Sequence, residues 1–316
     1  MITFPCAKIN LGLNIVSKRD DGYHNLETVF YPIPLHDALE VKRMDERFPS
    51  HVGCDLKVTG NAVDCDEQAN LVVKAYDLLA KDYDIPRVHA HLYKQIPSQA
   101  GLGGGSSDAA FMIRLLDERF RLNIGIAEME RYAARLGADC AFFITAEPSY
   151  ATGIGDILAP ADGPHGNLHG YHIAIVKPNV AVSTRDAYQQ ITPRRPAKSC
   201  RDIVRQPIET WKTDLTNDFE APIFNQHPLL ADIKQRLYDV GALYAQMSGS
   251  GSAMFGIRSE ERRVGKDGHR AKGLRGENCL GGGRRHGMLC VKPLKGARNA
   301  NLYAIFSYRL EFYIYK

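Results

Sequence analysis

The chain has 316 residues, 44% hydrophobic and 24% charged, with a net charge of +4; this favours a globular protein of two domains over a disordered or fibrous one. No apolar run approaches the roughly 20 residues of a membrane-spanning helix, and no charged-then-apolar leader opens the chain. Seven cysteines without a CxxC pair argue for reduced thiols in a cytoplasmic protein, not a disulfide frame or zinc site.

In chain order, hydrophobic periodicity predicts strands over residues 7–17, 39–43, 55–59 and 88–94. Helices are predicted over 70–83, 108–120 and 126–136. A short pair of strands at 141–145 and 149–154 follows, then a buried strand at 171–177. Pro178 and Asn179 close a first domain, 1–178. A second domain, 179–257, has predicted helices at 184–190, 222–225 and 228–240 and strands at 242–248 and 252–257.

Between the strand at 88–94 and the helix from 108 lies the most informative segment: Pro97, Ser98, Gln99, Ala100, Gly101, Leu102, Gly103, Gly104, Gly105, Ser106 and Ser107. Glycines permit positive φ and let backbone N–H groups close around a polyanion. The helix N-terminus adds oriented donors and a positive dipole end. The segment therefore reads as a phosphate cradle, with a ligand-free glycine turn and helix cap as the plainer alternative. It is not a Walker A loop, because no lysine follows Gly105. It is a poor dinucleotide fingerprint, because Ser106 stands where a third glycine or alanine belongs.

Other polar residues stand out more weakly. Lys8 is flanked by Ala7 and Ile9 in the first strand, although alternation alone would turn it outward at an edge. Asp139 follows Gly137 at the end of a helix and could be a turn or cap residue. Tyr23 and His24 follow Asp20-Asp21-Gly22, which is turn chemistry; a ring there could stack on a pyrimidine and the imidazole could meet a base edge. Asn70 opens a helix and suits an N-cap. Ser248, Gly249, Ser250 and Gly251 form a glycine–serine turn.

Three of these segments resemble the three motifs of the GHMP kinase superfamily, in the expected order: the stretch with Ala7-Lys8-Ile9-Asn10, the glycine-rich segment, and Met247-Ser248-Gly249-Ser250-Gly251-Ser252. The run Lys18-Arg19-Asp20-Asp21-Gly22-Tyr23-His24 resembles the branch that phosphorylates a cytidine-diphosphate-linked methylerythritol for isoprenoid synthesis. The resemblance covers residues 1–257. It implies an α+β fold, with an N-terminal domain like ribosomal protein S5 domain 2 and a ferredoxin-like C-terminal domain, here incomplete. It implies Lys8 and Asp139 as catalytic residues, and residues 97–107 with Asn70 as the ATP site. Asn10, Tyr23, His24, Thr184, Tyr188 and residues 248–251 would hold the substrate. The cofactors implied are ATP and Mg²⁺, the latter with no ligand assigned. The implied partner is the small-molecule cytidine diphosphate, with no membrane and no nucleic acid. Another GHMP kinase, acting on homoserine or mevalonate, or an inactive relative remains the alternative.

Residues 258–316 do not resemble the family. They carry 14 Lys/Arg against 5 Asp/Glu, a net of +9, whereas the rest of the chain has 26 against 31, a net of −5. A basic tail could bind nucleic acid. The string from Arg258 to Lys266 instead resembles a translated sequencing adapter, and the tail is read as a frameshift or assembly artefact. Little stable structure is expected over 258–300, where apolar residues are too few to offset ordering. Residues 302–315 are apolar enough to form a strand.

Overall fold

A computed structural model describes residues 1–63, 65–161 and 168–259, with residues 304–309 as backbone. The strands among these residues form three four-stranded sheets. The first joins β1 (Ile2–Thr3), β4 (Ala38–Arg43), β6 (Val88–Lys94) and β5 (Cys54–Gly60), in that order, with only the β5–β6 pair parallel. The second is an antiparallel meander of β2 (Cys6–Lys18), β3 (His24–His36), β7 (Ser149–Thr152) and β8 (Ile157–Pro160). Helices α1 (Leu71–Leu79), α2 (Gly104–Phe120), α3 (Ile126–Ala134) and α4 (Phe142–Thr145) pack with these sheets.

The third sheet runs β10 (Tyr244–Met247), β11 (Met254–Arg258), β9 (His172–Lys177) and β12 (Ala304–Arg309). Every pair in it is antiparallel. Helices α5 (Thr184–Gln189), α6 (Cys200–Val204), α7 (Ile208–Asp214), α8 (Glu220–Gln226) and α9 (Pro228–Asp239) accompany it.

Strand β2 explains why polar residues reach the molecular centre. Ile9 and Leu11 enter one apolar cluster and, past the shift at Gly12, Leu13 and Ile15 enter another. Their neighbours Lys8, Asn10 and Asn14 are buried too, at 3%, 2% and 6% exposure. Alternation predicts a water-facing side for these residues. Here both sides are covered, because the second sheet is sandwiched between the helices of the first half and the elements of the second. Gly12, at φ +69°, marks a register shift in the pairing of β2 with β3.

The structure corrects several expectations. Residues 141–145 are not a strand: 142–145 form the one-turn helix α4, with Phe142 and Phe143 fully buried. A short apolar run does not distinguish the two states. Strand β7 pairs with β3 and with β8, neither of which periodicity predicted. The 13-residue β3 was unpredicted, since Pro32 and Pro34 argue against a strand and its burial is nearly continuous. Helix α2 starts at Gly104, four residues before the predicted start. Helix α1 ends at Leu79, short of the predicted Tyr83. Helices α6 and α7 were not anticipated.

The boundary at 178 also cuts through the third sheet, because β9 precedes it yet pairs with β11 and β12. That sheet has a fourth strand, β12, inside the apolar 302–315 segment expected to be able to form one, and it pairs with the edge of β9. The remaining tail, 260–303 and 310–316, lies outside the described residues.

Candidate active site

The second and third sheets meet at a cleft of about 1290 Å³. Lys8, Asn10, Tyr23, His24, Gln99, Gly101, Gly103, Asp139, Thr184, Tyr188, Gly249, Ser250 and Gly251 all line it. Six stretches far apart in sequence are thus brought together.

At its centre, Lys8 Nζ sits 3.3 Å from Asp139 Oδ2. Lys8 Nζ also donates to Asn10 Oδ1 at 2.6 Å and lies 4.8 Å from the Phe30 ring centroid. Asn10 Nδ2 donates to Thr28 Oγ1 at 3.0 Å, and Thr28 in turn donates to Gly12 O at 2.5 Å. This chain of donors fixes the ammonium and its carboxylate partner in one orientation. The lysine is buried, whereas the Asp139 side chain is 34% exposed and faces the cleft. Asp139 is the only carboxylate among the described cleft-lining residues.

The glycine-rich loop is held from behind through three consecutive carbonyls. Ala100 O accepts from Ala253 N at 3.1 Å and Leu102 O from Lys8 N at 2.9 Å. Gly101 O accepts from Ser248 Oγ at 2.8 Å. Gly101 and Gly103 both have φ above +70°, a conformation that glycine adopts at little cost. Gly103 then serves as N-cap of α2. The loop is therefore placed beside Lys8 and at a helix N-terminus, where oriented N–H groups favour an anion.

Loop residues differ in what they do. Gln99, Gly101 and Gly103 line the cleft. Ala100, Leu102 and Ser107 are buried, and Ser107 Oγ has no hydrogen-bond partner. Pro97 is half-buried, and Ser98 is exposed and donates to Ala62 O. Gly104 and Gly105 open α2, and Ser106 hydrogen-bonds the Cys140 thiol, whose pKa burial pushes up to about 11. Asn70 stands outside the cleft: its Oδ1 caps α1 by accepting from Val72 N at 2.9 Å. A plain helix cap accounts for its position.

On the other side of the cleft, His24 stacks on Tyr188 with ring centroids 5.2 Å apart and planes 22° apart. Tyr188 meets Phe219 edge-on at 4.9 Å. Burial, with the charge of Asp139, pushes the Tyr188 phenol up to about 12, so the ring stays neutral. Tyr23, 62% exposed, stands at the mouth. Thr184 Oγ1 lies 2.9 Å from Ser250 Oγ and ties α5 to the glycine–serine turn. Asn217 braces that turn by donating to Met247 O and Gly249 O, both at 2.9 Å.

Several contributors were not anticipated from the sequence. Thr28 and Phe30 lie on the strand that periodicity missed. Lys18 and Arg185 add positive charge to the lining; the basic run at 18–19 is the signal for the first. Asn217 carries no motif that would single it out.

Comparison with known proteins agrees with this geometry. Residues 70–147 match the GHMP kinases N terminal domain, and residues 201–270 match the GHMP kinases C terminal domain. The second match runs past residue 257, where the family resemblance was placed as ending. A 4-diphosphocytidyl-2-C-methyl-D-erythritol kinase of Bacteroides fragilis is 53% identical over 266 residues, covering 84% of this chain and 95% of that protein. The enzyme of the same name from Cytophaga hutchinsonii is 45% identical, covering 81% and 92%. A crystal structure of 4-(cytidine 5'-diphospho)-2C-methyl-D-erythritol kinase superposes with a TM-score of 0.67 at 31% identity, covering 81% and 90%. A mevalonate kinase of Methanococcus jannaschii, at 13% identity and TM-score 0.59, shares the fold. With a lysine–aspartate pair between a glycine-rich loop and an aromatic stack, and 53% of the residues aligned with the Bacteroides fragilis relative identical, the chain belongs to the 4-diphosphocytidyl-2-C-methyl-D-erythritol kinase family of GHMP kinases.

Proposed function

We propose that the chain transfers the γ-phosphoryl group of ATP to the 2-hydroxyl of 4-diphosphocytidyl-2-C-methyl-D-erythritol, in the non-mevalonate route to isoprenoid precursors. One observation carries this reading: the Lys8–Asp139 pair stands between a phosphate-type loop and the His24–Tyr188 stack. Such an arrangement suits a donor triphosphate on one side and a base-bearing acceptor on the other.

Phosphoryl transfer depends mainly on positioning and charge neutralisation. In this reading, Gln99, Gly101, Gly103 and the first turn of α2 hold the triphosphate. Asp139 orients the acceptor hydroxyl and takes its proton as the oxygen bonds to phosphorus. The bond from the γ-phosphorus to its bridging oxygen breaks, and ADP leaves. Lys8 offsets charge on the transferring group and keeps Asp139 in place. Asn10 holds the erythritol end, while Tyr23, His24, Thr184 and Tyr188 hold the cytidine, with residues 248–251 closing the site. Magnesium would screen the β- and γ-phosphates. Mg²⁺ commonly keeps several waters and is held largely through the substrate phosphates; Asp139, engaged by Lys8 and the acceptor hydroxyl, is not assigned to it. No group of three or more metal-binding side chains forms a cage among the described residues.

The described cysteines are free, and no described helix is long and apolar enough to cross a membrane; both suit the cytoplasmic setting we propose. A coupled ADP-release assay with the cytidine substrate, homoserine and mevalonate tests the reading. Turnover with the first alone supports it, and turnover only with either of the others overturns it.

The aromatic stack makes its own prediction. Tyr188→Ala and His24→Ala raise KM for the cytidine substrate and leave KM for ATP nearly unchanged. Base stacking contributes about 1–3 kcal/mol per base, or roughly 5- to 150-fold in affinity. An equal loss of ATP affinity in these variants would assign the stack to the fold or to the nucleotide.

A further inference from the structure

Directly behind the phosphate loop lies a second charged cluster that the proposed chemistry does not use. Lys94, the last residue of β6, points its ammonium inward between Asp37 and Asp108. Its Nζ donates to Asp37 Oδ2 and, at 2.6 Å, to Asp108 Oδ2. All three residues are buried, at 4%, 1% and 2% exposure. Asp37 sits at the junction of β3 and β4, and its Oδ1 accepts from Gln95 N at 2.5 Å and Ile96 N at 2.8 Å. These are the two residues that lead into the loop. Asp108 lies near the start of α2, the element that leads out of it. The cluster thus ties the entrance of the loop to its exit. A Cβ added at Gly104 would lie 3.3 Å from Lys94 Nζ, so the ammonium rests against the first turn of the helix itself.

The charges do not balance if both acids are ionised: two carboxylates share one ammonium out of reach of water. Asp37 has three donors on its two oxygens. Asp108 has one, and its Oδ1 has no partner. Donor count therefore leaves Asp108 as the acid that keeps a proton. Burial raises its pKa to about 8 despite the neighbouring Lys94, and Asp37 adds to the rise. Lys94 is shifted upward as well: burial opposes its charge, but the two acids outweigh it.

Among the described residues, Lys94 and Asp37 are the charged groups that act on Asp108; on α3, Glu128 pairs with Arg131. On α1, which packs on α2, Lys74 and Asp77 are exposed. On β4, Glu40 pairs with Lys42. Lys8 on β2 is committed to Asp139 and Asn10. Arg114, further along α2, interacts with Cys6 and Glu118. Helix α4 carries no charged residue.

We propose that Asp37, Lys94 and Asp108 form a buried latch that positions the phosphate loop, and that ATP binds well only while the latch carries no net charge. This rests on the assignment of the loop to ATP. Once Asp108 loses its proton, the cluster holds an uncompensated negative charge behind the triphosphate, at low dielectric where repulsion is strong. The same charge opposes the positive end of α2. The three residues position the loop and do not touch the reacting atoms.

The test is KM for ATP between pH 7 and 9, with KM for the cytidine substrate as internal control. With a pKa near 8, linkage to one proton raises KM for ATP about tenfold over this range, and the control stays flat. Asp108→Asn keeps the shape and removes the titration, so its KM for ATP should not change with pH. Calorimetry of ATP binding at pH 8, in two buffers of different ionisation enthalpy, gives a reading that needs neither turnover nor a variant. The wild type should take up about half a proton per ATP. A flat KM for ATP in the wild type, the same rise in Asp108→Asn, or ATP binding without proton uptake overturns the latch. Because binding is read directly, a chain that binds ATP with proton uptake but ignores the cytidine substrate keeps the latch and loses the proposed reaction. A working kinase with a pH-independent KM for ATP does the reverse.

Discussion

Replacing Asp139 with asparagine lowers turnover by about 10²–10⁴-fold, the range expected when a general base is lost, with little change in KM for ATP. The reason is geometric. Asparagine keeps the size of the side chain but can neither accept the hydroxyl proton nor neutralise Lys8. The lysine keeps its position, because Asn10 Oδ1 accepts from it at 2.6 Å and the Phe30 ring lies beneath it. Folding should barely change, since Asp139 is about one-third exposed and exposed ion pairs contribute only about 0–1 kcal/mol. Steady-state ADP release and a thermal melt separate the two effects. Turnover near that of the parent would remove Asp139 from the chemistry.

Sequence and structure agree best where local chemistry determines geometry. The loop at 97–107 was legible because positive φ at Gly101 and Gly103 and a helix start at once demand glycine. The motif resemblance supplied what periodicity could not, namely that Lys8 and Asp139 meet. From alternation alone Lys8 belongs at a wet edge; it is buried because a third layer covers the polar side of β2.

What was missed depends on contacts distant in sequence. Strand β3 escaped notice because its two prolines argue against a strand and the continuous burial over 26–31 hides the period-two pattern. The cluster of Asp37, Lys94 and Asp108 was invisible, since Asp37 and Lys94 alone read as ordinary charges, Asp108 as a residue suited to a helix N-cap region, and only the fold brings them within hydrogen-bond reach. Asn217 is similar: 30 or more residues separate it from the turn it braces. The fourth strand of the third sheet, expected as a possible strand within 302–315, was legible only in part. Residues 304–309 follow a long basic stretch, and apolar character alone does not say which edge a strand will join.

Gly101→Ala is expected to have the other large effect, on folding and activity together. Gly101 has φ +73°, and a Cβ there would overlap the carbonyl oxygen of Ser248 and lie 2.8 Å from its carbon. Both are backbone atoms, so no rotamer change can make room. A non-glycine residue in the left-handed region costs about 1–3 kcal/mol by itself, and the overlap brings the total to roughly 2–4 kcal/mol, within the range of severe substitutions. At about 2–4 °C per kcal/mol for a domain of this size, the melting temperature falls by about 5–15 °C. Relief of the overlap must separate the loop from the glycine–serine turn. That breaks the Ser248–Gly101 and Ala253–Ala100 hydrogen bonds, which hold the loop at the cleft. A displacement near 1 Å at a reacting group can cost about 10²-fold in rate, so turnover falls by at least that much even below the melting transition. Gly105→Ala is the control. It lies in the same motif, but its added Cβ would meet nothing closer than Leu71 Cδ1 at 3.9 Å. In a helix, alanine there should be neutral or stabilising by about 0.5–1 kcal/mol. If both variants lose activity equally, the motif needs flexible glycines in general; if only Gly101→Ala does, the tight seam between loop and turn is what the site requires.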